Sequence, residues 1–434
     1  MSSPLHRRAH QSLVRRFAEA RRRSPQDGET VSGHHNSNVI MPVGRPLALL
    51  LGMPSGEVLA KFRTPLPAIE VVPRLWRHES QVLRVVGERL SEVPKCLADF
   101  GDWSLHSYLT GRALADVVRE GERIGRRRLS VLADFFARLA DIPESALPPV
   151  PADWPDSGDS HGFLGRLAQF TEQRVHQSNR PRFGSLFDAV GIPSDAVDRY
   201  QDSVRTLAAR PFALLHTDVH RSNVLVTPGR DGESLVVIDW ELALYGDPLH
   251  DLATHLVRME YDSKERGVMI GMWASAMRDR GHADMTVELK RDLRTYLGFE
   301  YVQSLYPDVM RAALELPDEP ARRHVVRAAE RVCRALRRAS GPLGLGPDRL
   351  PQEREVREAL LDWHAKDMIR RMEWPDAGEE AERLETPVVG PLVGPVAAGR
   401  ERWDRTRLVA RARRSENARS TAAPAHREPT GVGS

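Results

Sequence analysis

The sequence predicts an α+β chain with a small β-rich N-terminal lobe and a larger helical C-terminal lobe. Three observations carry this. Short apolar runs framed by turn formers, such as Leu59-Ala60 beside Lys61 and Val224-Leu225-Val226 before Thr227-Pro228-Gly229, read as strands. Longer stretches place apolar residues at helical spacing: Leu129, Leu132, Phe135, Phe136, Leu139 and Ile142, and later Val325, Ala329, Val332 and Leu336. At 434 residues and 41% hydrophobic content, the chain is long enough to bury a sizeable core in two lobes.

In chain order, residues 1–30 are rich in Arg, Ser and Gln and read as a solvated arm, disordered or with one short amphipathic helix around Leu13, Val14 and Phe17. The arginines at positions 7, 8, 15 and 16 precede no apolar core, which argues against a secretion signal. Residues 31–104 hold the strand-like segments and residues 105–112 a connection. Residues 113–374 are mostly helical in pattern, interrupted by the Pro-rich piece Leu147 to Asp156. Helical segments are expected around 254–276, 286–316 and 320–339, the last with Arg322, Arg323, Arg327, Arg331, Arg334, Arg337 and Arg338 on a solvated face. Residues 375–434 alternate acidic, Pro/Val/Gly and Arg-rich pieces that bury little surface, and read as a disordered tail. Cys96 and Cys333 are the only cysteines, which suits a reducing cytoplasm and excludes a disulfide framework. No apolar stretch approaches the length of a membrane span. Net charge is +3, and a nucleic-acid partner is disfavoured because the arginine stripe lacks aromatic platforms or a known reader motif.

The most informative segment is His216-Thr217-Asp218-Val219-His220-Arg221-Ser222-Asn223, followed by Ile238-Asp239-Trp240-Glu241. The pattern H-x-D-x-x-x-x-N alone arises by chance in about one per cent of chains this long at usual residue frequencies; a correctly spaced second Asp lowers that further. Flanking apolar runs and the turn cluster Thr227 to Gly232 put Asp218 just before a β-hairpin and Asp239 just after it. This arrangement suits phosphoryl transfer, where catalysis is positioning and charge neutralisation around the γ-phosphate. Asp218 would accept the proton of an attacking hydroxyl, and Asn223 and Asp239 would hold magnesium, which takes hard oxygen ligands.

With Asp239-Trp240-Glu241 and Gly246-Asp247-Pro248-Leu249-His250-Asp251-Leu252-Ala253, the stretch Leu215 to Leu252 resembles the aminoglycoside phosphotransferase and choline kinase family, relatives of the protein kinases. The resemblance implies a bilobal protein-kinase-like fold that binds ATP and Mg2+. In it, Asp247 and Asp251 cap and tether the helix beginning near Pro248, and His216 braces the catalytic loop. The N-lobe, 31–104, would then supply a nucleotide lid, a phosphate-binding Lys and its acidic partner on the following helix. Lys61 in Glu57 to Arg63 and Glu79 in Arg77 to Val86 fit these roles as an ion pair, and Ser37 and Asn38 in the loop Ser32 to Asn38 face nucleotide. Residues 105–112 become the hinge that reads adenine through the backbone of Leu105, His106, Ser107 and Tyr108, before Gly111 and Leu114. The acceptor would lie against C-lobe helices near Glu300, Tyr301, Ser304, Tyr306 and Asp308.

The leading expectation is a Mg-ATP-dependent kinase acting on a hydroxyl of a small molecule, an antibiotic or another natural product. The net charge of +3 weakens a polycationic acceptor. A kinase of Ser or Thr in a precursor peptide is the runner-up. A catalytically silent scaffold is disfavoured, because Lys61, Asp218, Asn223 and Asp239 are all present.

Overall fold

The computed structural model describes residues 4–23, 28–32, 36–53, 59–65, 72–119, 121–229 and 232–373. The described residues divide into two compact units, the first made of those up to Pro65 with Cys96–Thr110, the second of those in 66–95 and 111–373.

The first unit is a five-stranded antiparallel sheet with two helices. Its strands are β1 (Glu29–Ser32), β2 (Asn36–Pro42), β3 (Leu59–Pro65), β4 (Cys96–Asp99) and β5 (Ser104–Ser107), in the order β1-β2-β3-β5-β4. Alternation along β3 sends Ala60 and Phe62 into the core, where Phe62 stacks on Trp103 at 6.0 Å. The arm, expected to be solvated and at most one short amphipathic helix, is the 19-residue helix α1 (Pro4–Arg22). Val14 and Ala18, one turn apart, are buried in the same core as Leu47 and Ala48 of α2 (Arg45–Leu50). Arg21 Nε donates to Pro42 O at 2.9 Å, and the Arg22 guanidinium lies 5.1 Å over Trp103. An apolar stripe only two turns long is enough to dock a helix whose other faces are arginine-rich, which is why composition hid it.

The second unit is largely helical. In chain order it contains α3 (Glu79–Arg89), β6 (Arg112–Ala113), α4 (Leu114–Val117), α5 (Arg126–Ala140), α6 (Ser160–Phe170), α7 (Ser178–Ala189) and α8 (Ala196–Ser203). There follow β7 (Ala213–Leu215), β8 (Val224–Gly229), β9 (Gly232–Val237), β10 (Leu244–Gly246), α9 (Pro248–Arg258), α10 (Ser263–Asp279), α11 (Leu289–Leu314), α12 (Arg322–Ser340) and α13 (Glu353–Glu373). The hairpin β8–β9 forms with Gly229 opposite Gly232, and β6 adds to its β8 edge. Strand β7 pairs with β10. The periodicity read as one helix around 254–276 is two, α9 and α10, because Asp262 caps a new helix through the amides of Lys264 and Glu265.

Helix α3 falls in the second unit, although the sequence grouped it with the β-rich lobe. Hydrogen bonds explain the grouping: Glu79 Oε1 accepts the Trp240 amide at 2.9 Å, Val237 N donates to Glu92 O, and Arg138 pairs with Glu92 at 2.9 Å. The expected C-terminal tail, 375–434, and Gly33-His34-His35 lie outside the described residues.

The Gly-Asp-Pro motif anchors α9. A Cβ on Gly246 would lie 2.3 Å from the Phe163 ring, so only glycine fits there. Asp247 caps α9 by accepting the Leu249 amide, and its carboxylate also takes Tyr296 Oη at 2.9 Å and Arg210 Nη2 at 2.7 Å. Arg210, fully buried, spends Nη1 on Asp292 at 2.6 Å and on Val287 O. Both carboxylates that pair with this buried charge are themselves buried, so removing the cation leaves two buried acids without it. Arg210→Ala should therefore cost about 3–5 kcal/mol of stability in urea denaturation; a loss under about 1 kcal/mol would contradict the account.

Candidate active site

The loop between β7 and β8 is held in a backbone conformation that its own residues disfavour. Thr217 has φ 60° and Asp239, across the hairpin, φ 70°. A β-branched residue at positive φ is a strained outlier that persists only where its surroundings enforce it. The enforcement is visible. Thr217 N donates to Asp251 Oδ1 at 2.8 Å, His216 N to Asp251 Oδ2 at 2.8 Å, and Thr217 Oγ1 to Leu242 O at 2.6 Å. Asp239 is clamped on either side: Ile238 N donates to Asn223 O, and Trp240 N to Glu79 Oε1.

Helix α9 provides the clamp. Asp251, His255 and Arg258 recur at i, i+4 and i+7, one face of a helix. Asp251 takes the two loop amides. His255 donates Nδ1–H to Val219 O at 2.8 Å and accepts Tyr261 Oη–H at its other nitrogen, 2.9 Å away. Arg258 Nη1 donates to Asp218 Oδ1. One stripe thus addresses residues 216, 217, 218 and 219 in turn.

Asp218 stands at the centre, with 14% of its side chain exposed. Asn223 Nδ2 donates to its Oδ2 at 2.8 Å and to its carbonyl at 3.1 Å, and the His220 ring lies 3.6 Å from Oδ2. Burial acts to raise the Asp218 carboxyl, but the charges of His220 and Arg258 outweigh it and hold the group below the usual carboxylate range, against an opposing push from Asp239. His216 accepts the Asp218 amide at Nδ1 and donates Nε2–H to Ile238 O, both at 3.2 Å, while its ring packs 4.6 Å from Trp240. This geometry needs a neutral ring, and burial supplies one by pushing its pKa down to about 4.

The structure brings His216, Asp218, Asn223, Asp239, Asp247, Asp251 and Glu79 into the second unit around this loop. Glu300 is buried on α11, 3.5 Å from His250, and burial raises its carboxyl to about 6; the charges of Arg258 and Asp218 both act on it. Ser304 and Asp308 follow on the same helix, Asp308 facing Arg311 at 3.9 Å, whereas the Tyr301 hydroxyl meets Arg266 at 3.5 Å and the Tyr306 ring stacks on His176 at 4.8 Å. In the first unit, Lys61 sits mid-β3 between Ile40 and His106. Ser37 and Asn38 are strand residues of β2 rather than loop residues, because pairing with β3 begins at Asn36. Leu105, His106 and Ser107 lie on β5, and Tyr108 follows it. Arg258, His255 and His220 escaped the reading of the sequence. The signal was available for two of them, as polar residues at helical spacing C-terminal to Asp251.

The chain belongs to the phosphotransferase enzyme family, which residues 56–285, just over half of it, match. It is an ATP-dependent phosphotransferase with an alcohol group as acceptor, acting on small molecules. Among solved structures, it is similar to an ethanolamine kinase from Plasmodium vivax (13% identity, 73% of this chain and 81% of that one, TM-score 0.45). It is also similar to a choline kinase from Streptococcus pneumoniae (13%, 74% and 98%, TM-score 0.41) and to a macrolide 2'-phosphotransferase from Brachybacterium faecium (13%, 70% and 91%, TM-score 0.38). No curated protein matches the sequence. Among the described residues, no helix is long and apolar enough to cross a membrane.

Burial also makes a pH prediction. His255 is held neutral, its pKa pushed down to about 4 against 6.5 for a free histidine. A base whose folded pKa is depressed lends stability that is complete above the unfolded value and is lost as pH falls through 6.5 toward 4. Asp251 and Glu300, raised by burial, act with the opposite sign but are common to both proteins compared. His255→Asn keeps the donor to Val219 O and removes the titration. The stability difference between wild type and variant should therefore shrink by about 1.4 kcal/mol per pH unit across that window. Parallel curves from urea melts at each pH would refute the assignment.

Proposed function

We propose that the chain transfers the γ-phosphate of Mg-ATP to a hydroxyl of a small natural product, an antibiotic among the candidates, with Asp218 as the catalytic carboxylate. The observation that carries this is the convergence of Asp218, Asn223 and Asp239 on one strained loop and hairpin, with His216 neutral beneath them. The acceptor O–H proton passes to Asp218 as the acceptor oxygen forms its bond to γ-phosphorus, the bond between γ-phosphorus and the β–γ bridging oxygen breaks, and ADP leaves. A carboxylate held below the usual range is a weak base. That suits a loose transition state, in which the hydroxyl becomes acidic only late.

The donor set suits magnesium. Asn223 commits its Nδ2 to Asp218, which leaves the carbonyl oxygen for a cation, and Asp239 adds a carboxylate. Among the described residues, no three His, Cys, Asp or Glu groups cluster to hold a metal unaided. Such a site is completed by phosphate oxygens and water, as magnesium prefers. When bound, the ion would neutralise charge on the phosphates; Asn223 and Asp239 would hold it. Lys61 and Glu79 would serve as the phosphate-binding lysine and its acidic partner. Ser37 and Asn38 near the β1–β2 turn, and the backbone of Leu105 to Tyr108, would receive the nucleotide. That Cys96 and Cys333 are the only two cysteines supports a cytoplasmic setting.

Asp218→Asn should retain ATP binding and lose at least about 100-fold in transfer, scored by mass spectrometry against an antibiotic panel with a Ser/Thr peptide arm. Asp239→Ala should weaken Mg-dependent nucleotide binding in calorimetry. Wild-type transfer by Asp218→Asn would overturn the proposal.

A further inference from the structure

Arg258 has more donors than the fold uses. Its side chain is 7% exposed. Nη1 is spent on Asp218 Oδ1. Nε is buried without a partner, and Nη2 makes no hydrogen bond among the described residues. A guanidinium presents Nε–H and Nη2–H as a planar fork that matches an oxyanion. Here the fork is unpaired, and it belongs to the residue whose third nitrogen touches the proposed catalytic carboxylate. Leaving a buried N–H of a charged group unpaired is costly, so a chain that keeps this arrangement has a use for the fork.

The surroundings point to the sign of the ligand. A second buried guanidinium, Arg311 on α11, lies close enough for Arg258 to oppose its charge, and it also faces Asp308 at 3.9 Å. Asp308 in turn lies in the field of Arg331 and Arg338. Glu300 is the acidic counterweight, but it faces the His250 ring, on the neighbouring stripe of α9. Two buried guanidiniums that repel one another are relieved by an anion. A cationic acceptor would meet Arg258 first.

Resting on the phosphotransferase reading above, we propose that the acceptor alcohol carries an oxyanion, a carboxylate or a phosphate, which the Nε/Nη2 fork of Arg258 grips while Nη1 keeps Asp218 turned toward the hydroxyl. Arg258 is thus a specificity-determining residue, and the positive charge that weakened a polycationic acceptor acts locally through it.

The test uses the full chain with Mg-ATP and alcohols in matched sets: a hydroxy acid, its primary amide and the corresponding amino alcohol, with a hydroxyalkyl phosphate to separate phosphate from carboxylate recognition. Wild type should favour the anionic members over the amides by about 10- to 100-fold in kcat/KM, the range for a charge-assisted fork. Arg258→Lys, which keeps the charge and loses the fork, should collapse that ratio mainly through KM. Equal or better use of the amide or amine, or an anion preference that survives in a folded Arg258→Lys, overturns the proposal. A second measurement stands apart from turnover: calorimetric titration of wild type with sodium sulfate in the presence of Mg and a non-hydrolysable ATP analogue. Saturable binding in the millimolar range supports the fork, and its absence overturns it. Failure of the underlying reading looks different, since Asp218→Asn would then transfer phosphate to every member as wild type does.

Discussion

The bend of the loop between β7 and β8 depends on the two hydrogen bonds that Asp251 accepts from the amides of His216 and Thr217. They stabilise a positive φ at a threonine, which neither strand pairing nor side-chain packing would tolerate alone. Everything that defines the site follows from that bend. It places the Asp218 amide on His216 Nδ1, and leaves Val219 O and the Asp218 carboxylate facing the same helix stripe, where His255 and Arg258 meet them. Asp251 can do this only because α9 is fixed from its other end. Asp247 caps the helix while holding Arg210 and Tyr296, and Gly246 lets the Phe163 ring close beneath.

Electrostatics then separate the acids of this unit by environment. Asp218 lies under Arg258 and His220 and stays ionised, whereas burial lifts Asp251 to about 7 and Glu300 to about 6. The three histidines packed around α9, His216, His250 and His255, are driven the other way and remain neutral. The result is a carboxylate that keeps its charge beside groups that largely do not compete for it, a sensible setting for receiving a proton late in phosphoryl transfer.

Much of this was legible in the sequence where local rules and chemistry coincide. Turn formers at Thr227 to Gly232 and alternating apolar runs specify the β8–β9 hairpin, and a Pro after an Asp marks the start of α9. What was hidden depends on long-range geometry. Asp251 and His216 are 35 residues apart in the chain, and no periodicity reports that one caps the other's amide. Arg258 could have been found from its spacing to Asp251, but an arginine near a helix C-terminus is ordinarily read as a solvated, dipole-matched residue. Helix α1 was read too short, as at most one short amphipathic helix, because Val14 and Ala18 form a stripe too narrow to outweigh the arginines around them. Helix α3 was grouped with the β-rich lobe because the resemblance places the lysine's acidic partner there, whereas the hydrogen bonds of Glu79 and Glu92 to Trp240 and Val237 group it with the helical unit.

Asp251 would act on catalysis by holding the loop and not by touching substrate. The direct test is phosphate transfer by Asp251→Asn, whose side chain has one acceptor oxygen where the loop requires two. Loss of roughly 100-fold in kcat, with the melting transition and Mg-ATP binding largely retained, is what the account predicts, since about 2–3 kcal/mol of loop positioning would be forfeited. A variant that transfers phosphate at the wild-type rate would show that the bend at Thr217 does not need its clamp, and the account would fail.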